Sequence, residues 1–515
     1  MSTDIEVYTN PVIPGFYPDP SLCKVGDDFY LVNSSFQYFP GVPIFHSRDL
    51  IHWEQIGYCL TRESQLDLKG CGSSMGIYAP TLRYHQGRFY MITTNMNLSR
   101  NFYVWSEKPE GPWSDPVWID SPGIDPSLFF DEDGRVYLTG TNDLFSNQQP
   151  GIYQAEIDIG TGKLLSEREL IWKGTGANAP EGPHLYRIKG KYYLLIAEGG
   201  TEYGHMVTIA RSDSPYGPFE SNPNNPILTH RSMGSPIHAT GHADFVEMEN
   251  GSWWAVFLGI RPVSVPFVGR YHHLGRETFL APVIWSAEGW PVIGEGGMAA
   301  EKMSVGTLMN GKGASFNIID EFEDNQLHYC WNFLRNPQEI DWSLEARPGW
   351  LTLHGSAVTL NDIASPAFIG RRQQHFNCTV STLLSFDPVY EGEEAGLTVY
   401  MNEQFHYEIA LTYDSDKGRK VILRRRVGSL WKVELEEAVE GTEIIMGIEA
   451  NTTTYSFFYN EPNGEQKAFG SGECSLLSTE VAGGFTGVYI GMYATGNGRP
   501  CKAPAYFDWF EYKPL

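Results

Sequence analysis

The sequence predicts an all-β protein in two parts, a five-bladed β-propeller over residues 1–300 and a lectin-like β-sandwich over residues 316–515. Three observations carry that expectation: a strand–turn–strand unit recurs through the first 290 residues, long alternating segments replace it afterwards, and neither half shows sustained helical periodicity.

The unit is read from "DPSLCKVGDDFYLVNSS" at Asp19, and returns as "APTLRYHQGRFYMITT" at Ala79, "DPSLFFDEDGRVYLTGT" at Asp125, "EGPHLYRIKGKYYLLIA" at Glu181 and "HADFVEMENGSWWAVFL" at His242. Each copy has two apolar runs about a Gly- or Asp-bearing turn, the mark of a β-hairpin. An aromatic residue falls at one phase of the second run: Tyr30, Tyr90, Tyr137, Tyr193 and Trp254. Successive starts lie 60, 46, 56 and 61 residues apart, room for four short strands, which is one propeller blade. Segments such as "IFHSRDLIHWEQI", "YVWSEKPEGPWSDP" and "TIARSDSPYGPFES" supply the outer hairpins. An ordinary β-sandwich is the alternative, which the five-fold repeat disfavours.

After about Trp290, "GEGGMAAEKMSVGTLMNGKGAS" reads as a linker, rich in glycine and small residues. Beyond it, "GWLTLHGSAVTL", "FNCTVSTLLSF", "AGLTVYMN", "FHYEIALTY" and "KVILRRRV" alternate with period two up to the closing "AYFDWFEYKPL". About 200 such residues without helices predict the second β-domain.

Composition narrows the function. A formal charge of −25, from 37 Lys and Arg against 62 Asp and Glu, repels nucleic acid and anionic lipid, so a neutral ligand fits better. The opening "MSTDIEVYTN" has no cationic stretch before an apolar run, and no run of about 18 apolar residues occurs anywhere, so neither a signal peptide nor a spanning helix is expected. Seven cysteines without paired zinc spacings fit reduced, structural thiols, and a cytoplasmic location is the expectation. A homo-oligomer is left open.

The first strand of each propeller blade lines the central axis, so the five unit starts should meet at one end of the tunnel. Asp before Pro-Ser is also an ordinary turn initiator, which accounts for either aspartate alone. Three carboxylates crowded at one axis need a stronger reason, since like charges repel there. With no nucleophile elbow, phosphate loop or HExxH spacing in the chain, the chemistry pointed to is glycosidic bond hydrolysis, where two carboxyl groups suffice. One must be protonated and one ionised, and a third negative charge keeps the acid's pKa up.

The motifs "NPVIPGFYPDPS", "SSFQYFPGVPIFHSRDLIHWEQIG", "GIDPSLFFDEDGRVY", "APEGPHLYRIKGKYYLLIAEGGTEYGH" and "LGRETFLAPV" resemble glycoside hydrolase family 43, most closely its two-domain β-xylosidase and α-L-arabinofuranosidase branch. The resemblance covers nearly the whole chain. It implies that Asp19 is the general base, Asp125 orients the acid and modulates its pKa, and Glu181 donates the proton to the leaving sugar. It also implies inversion at the anomeric carbon, with Asp19 and Glu181 about 6.5–9.5 Å apart. Arg276, in "LGRETF", resembles the family's sugar-binding arginine, and its alternative is an inter-strand or surface ion pair. Phe36 and Tyr78 are candidate apolar walls for the sugar, with simple packing as the alternative. His242 resembles the axial histidine found beside a calcium ion or a water, so a calcium at the axis, reached by His242 through water, is a further expectation; no other cofactor is required. His272 and His273 stay outside the site, since at most one of two adjacent strand residues can face it. Many β-xylosidases have Trp where this chain has Tyr78 in "GIYAP", which leaves the pentose open. The implied activity is exo-acting release of terminal pentoses from xylo- or arabinoxylo-oligosaccharides. A non-catalytic carbohydrate-binding propeller and an endo-arabinanase are the alternatives.

Overall fold

The computed structural model describes residues 6–267, 269–306, 308, 318–461 and 464–515. Each repeat unit folds as its own antiparallel sheet. Blade 1 runs Ser21–Val25, Asp28–Val32, Gly41–Ser47 and Glu54–Leu60 from first to fourth strand. The first strands of blades 2 to 5 are Thr81–His85, Ser127–Phe130, Glu181–Ile188 and His238–Glu247, and they neighbour one another in a ring that closes onto Ser21–Val25.

The aromatic phase of the repeat keeps one structural place. Tyr30, Tyr90, Tyr137, Tyr193 and Trp254 all lie on second strands, opposite Cys23, Arg83, Phe129, Tyr186 and Val246 of the first. From there they pack between blades. Apolar clusters fill all five gaps: Val32 and Met91 between blades 1 and 2, Ile92 and Leu138 between 2 and 3, Trp172 and Leu194 between 3 and 4, Leu195 and Phe257 between 4 and 5, Val256 and Leu31 between 5 and 1. At roughly 1.5–3 kcal/mol for each large side chain removed from water, this packing fixes the blades around the axis.

The linker reading needs correction over residues 294–306. There the chain makes a Glu295–Met298 bridge and a strand, Lys302–Ser304, which pairs with Val7–Thr9. Small residues suited a tight closure as well as a linker, and the partner strand stood 295 positions away, out of reach of a local reading. Residues 307 and 309–315 of that stretch lie outside the described residues.

The second domain is a sandwich of two eight-stranded antiparallel sheets around one interior that includes Leu397, Ile409, Val421, Ile448 and Phe507. The alternating segments fall on its strands Cys378–Ser385, Glu394–Asn402, Phe405–Asp414, Gly418–Val427 and Ala505–Pro514. One departure from the all-strand expectation matters for the site: a single helical turn, Thr479–Ala482, precedes the loop carrying Phe485.

Packing joins the two domains. Tyr38–Phe39, from the propeller sequence, is the edge strand of a sandwich sheet, paired with Asn332–Leu334. Phe16, Phe36 and Tyr38 bury against Phe368, Tyr400 and Tyr489, and Tyr38 stacks on Tyr489 with centroids 3.8 Å apart. Arg372 of the sandwich, itself buried, donates to the Phe16 carbonyl at 2.7 Å.

Candidate active site

The unit starts converge as the repeat requires. One cavity is lined by Asp19, Ala79, Asp125, Glu181 and His242, one from each blade, and also by Phe36, Tyr78, Ile124, Thr201, Arg276 and Phe485. All seven residues singled out in the sequence therefore reach the same hollow.

Backbone geometry aims these side chains. Asp19, Asp125 and His242 adopt left-handed conformations with φ of 53°, 54° and 50°, and Gly182, next to Glu181, has φ 57°. For a residue other than glycine this costs roughly 1–3 kcal/mol, strain tolerated where the surroundings over-determine it, commonly at functional sites. Ladder irregularities after Glu181 and around His242 turn the first strands of blades 4 and 5 in the same way.

The three carboxyl groups occupy different electrostatic settings. Burial alone would raise the pKa of Asp19, but the Arg276 guanidinium at 2.7 Å, then His242 at 4.0 Å and the Ser34 hydroxyl at 2.5 Å, outweigh it and hold it below the ordinary aspartate range. Asp125 is pushed up to about 6, chiefly by burial, with the Asp19 charge adding to it and His242 and the Gly182 amide opposing. Glu181 rises well above the usual glutamate range through burial, then through the charges of Asp125 and Asp19. The Gly182 amide donates to Asp125 Oδ2 at 3.1 Å, which ties Asp125 to the backbone beside Glu181. The result is one carboxylate kept ionised and one carboxyl kept protonated in the same cavity, the division of labour that acid–base chemistry needs.

Arg276 is the buried partner of Asp19, with Thr201 Oγ1 as its second acceptor at 3.1 Å, rather than part of a surface pair. The Phe36 and Tyr78 rings are tilted by 49° with centroids 5.2 Å apart, and Tyr78 donates to the Ser74 carbonyl at 3.1 Å. His272 pairs with Glu480, and His273 is buried against Phe376 and Tyr455, so neither enters the cavity.

Beneath the cavity the axis is closed by a polar network with one residue from each blade: Ser21, Arg83, Ser127, His184 and Asp244. Arg83 donates to Asp244 at 2.8 Å and contacts His184 Nδ1 at 2.9 Å. This donor set does not suit calcium, which takes six to eight oxygen ligands. A fixed guanidinium supplies the axial positive charge, the Asp244 carboxylate is committed to it, and among the described residues no three acidic, His or Cys side chains converge on a metal-sized point.

Sequence reasoning missed three lining residues, Ile124, Thr201 and Phe485. Thr201 lies in the quoted "GGTEYGH" run, where nothing distinguished it from a loop threonine. Phe485 comes from the sandwich, 209 residues after Arg276, and is held by a 2.8 Å bond from its amide to Ser74 Oγ. Its ring lies 6.3 Å from both Phe36 and Tyr78, and Arg276 sits 5.8 Å from its centroid. A stacking wall of this kind is worth about 1 kcal/mol. Phe485→Ala should accordingly raise KM by about five-fold while changing kcat less, checked by steady-state kinetics on an aryl pentoside.

Comparison with known proteins agrees along the whole chain. Residues 8–291 match the model of glycosyl hydrolases family 43, and residues 319–513 match the β-xylosidase C-terminal concanavalin A-like domain. A non-reducing end α-L-arabinofuranosidase of Bacteroides ovatus is 44% identical over 99% of this chain and 95% of its own. A xylosidase/arabinosidase of Butyrivibrio fibrisolvens is 40% identical over 99% of this chain and 100% of its own. Among solved structures, GH43B of a Bacteroides ovatus xyloglucan PUL superposes with a TM-score of 0.94 at 44% identity, over 99% of this chain and 100% of that one. A xylan β-1,4-xylosidase from Bacillus halodurans gives 0.93 at 37% identity, over 98% and 100%.

Proposed function

The chain belongs to glycosyl hydrolase family 43, and from that premise we propose that it releases terminal pentoses, β-D-xylosyl and α-L-arabinofuranosyl, from the ends of xylan-derived oligosaccharides. The observation that carries this reading is the meeting of Asp19, paired with Arg276, and Glu181, buried beside Asp125, in one cavity that the sandwich helps to close.

In this reading Asp19, kept ionised by Arg276, takes a proton from the water that attacks the anomeric carbon. Glu181, kept neutral by burial and by Asp125, gives its proton to the leaving oxygen on the other face of the sugar. Inversion results, because water arrives opposite the departing group. Phe36, Tyr78 and Phe485 offer ring faces to the pentose, and Arg276 offers donors to its hydroxyls. A cavity walled by Phe485 favours attack at a chain end over an endo-arabinanase, which needs an open groove. A purely carbohydrate-binding propeller would gain nothing from a buried acid held protonated.

Parallel assays on aryl β-D-xyloside and aryl α-L-arabinofuranoside, then on arabinoxylan- and xyloglucan-derived oligosaccharides, test the specificity. Release of both pentoses, each as a single sugar, is expected; binding without release, or oligomeric products, would refute it.

The pH dependence follows from the same pair. Asp19 is needed ionised, so its lowered pKa extends activity toward acid; Glu181 is needed protonated, so its raised pKa extends activity toward base. kcat/KM should therefore show an acid limb below the ordinary aspartate range and an alkaline limb well above the free-glutamate value of about 4.3. A stopped assay across the pH range checks both limbs.

The reaction is placed in the cytoplasm on oligosaccharides already taken up, a reading supported by seven cysteines that are all unpaired. Fractionation of the producing cells tests it.

A further inference from the structure

Behind Glu181 lies a histidine that the mechanism above does not use. The side chain of His205 is fully buried, and Nε2 stands 3.9 Å from Glu181 Oε1. Neither ring nitrogen has a hydrogen-bond partner among the described residues. A buried imidazole with both nitrogens unpaired is costly and calls for a reason beyond packing.

The local backbone makes room for this ring. Gly241 packs directly on it, and a Cβ there would lie 2.2 Å from Nε2 and 2.1 Å from Cδ2. Gly241 does not have a left-handed φ, so its lack of a side chain answers to the imidazole and not to backbone conformation. Burial first, then the positive charges of His242 and Arg276, push the pKa of His205 down to about 3, so the ring is neutral and carries a single N–H. The titratable and charged groups facing this corner are Asp19, Asp125, Glu181, His242 and Arg276.

Glu181 becomes a carboxylate when it gives up its proton, in a cavity that already holds Asp19 and Asp125. Among the described residues no hydrogen-bond donor is committed to that new charge. We infer that His205 is a positioning residue for Glu181, donating from Nε2–H to Oε1 as that oxygen acquires charge and closing from 3.9 Å to hydrogen-bond distance. A donor aimed at charge that develops only in the transition state assists the chemical step more than substrate binding. The inference rests on Glu181 being the general acid, which the leaving-group test of Glu181→Gln examines separately.

His205→Phe preserves the ring and removes the donor, whereas His205→Gln loses the ring and keeps an N–H. A positioning donor predicts that the Phe variant loses about ten-fold or more in kcat on xylobiose with KM little changed, and that Gln recovers part of the loss. A donor to the ionised carboxyl lowers its pKa, so the alkaline limb of the Phe variant should move to higher pH. Gly241→Ala, which displaces the ring without changing it, should reproduce the Phe result. Circular dichroism and thermal melts establish that each variant is folded, and the Gln and Gly241→Ala proteins carry the test where Phe fails to fold. A Phe variant as active as the parent, or more active than Gln, with the alkaline limb unmoved, would reduce His205 to packing and overturn the inference.

Discussion

Glu181→Gln should lower turnover on xylobiose on the order of 10³-fold, yet cost less than about ten-fold on an aryl xyloside whose phenol leaves without protonation. The asymmetry is the signature of a proton donor. The amide fills the same space, so binding and fold are retained, and what disappears is the proton for a poor leaving group. The alkaline limb should vanish from the profile of the aryl substrate as well, because the group whose deprotonation produced it is gone. Steady-state kinetics on a series of leaving groups measures both effects; equal losses across the series would remove Glu181 from that role.

Asp19→Asn should instead cost on the order of 10³- to 10⁴-fold on every substrate, independent of the leaving group. The base acts on water, and all substrates share that water. A second effect follows from the ion pair: without the Asp19 charge, Arg276 keeps, among the described residues, only Thr201 as a side-chain acceptor, and Glu181 loses one of the two negative neighbours that raise its pKa. The residual activity should thus show an alkaline limb displaced to lower pH. The same leaving-group series separates the two variants, one sensitive to the phenol and the other indifferent to it.

Much of this was legible because the propeller repeats. A repeat converts sequence phase into position, so Asp19, Asp125, Glu181 and His242 could be placed around one axis before any coordinate was known. The aromatic phase from Tyr30 to Trp254 was equally readable, since each ring enters a gap between blades. The sandwich strands showed through their alternation, as in "FHYEIALTY", which spans one strand.

What escaped depends on chain segments meeting across long separations. Phe485 sits in a glycine-flanked loop whose role exists only once Ser74 anchors it from the propeller. The closure of Val7–Thr9 on Lys302–Ser304 and the capture of Tyr38–Phe39 by a sandwich sheet are of the same kind. At the axis, Arg83 pairs with Asp244, and its place in the second unit carried no local mark of burial beside that carboxylate. Such contacts are decided by tertiary packing, and no window of neighbouring residues contains them.

Water attacks the anomeric carbon from one side while a proton is delivered on the other, and proton NMR of the first sugar released from a β-D-xyloside reads out that geometry. Release of α-D-xylose, followed by slow mutarotation to the mixture, is the predicted result. β-D-xylose as the initial product would contradict it, since retention requires a covalent intermediate in place of the activated water assigned to Asp19.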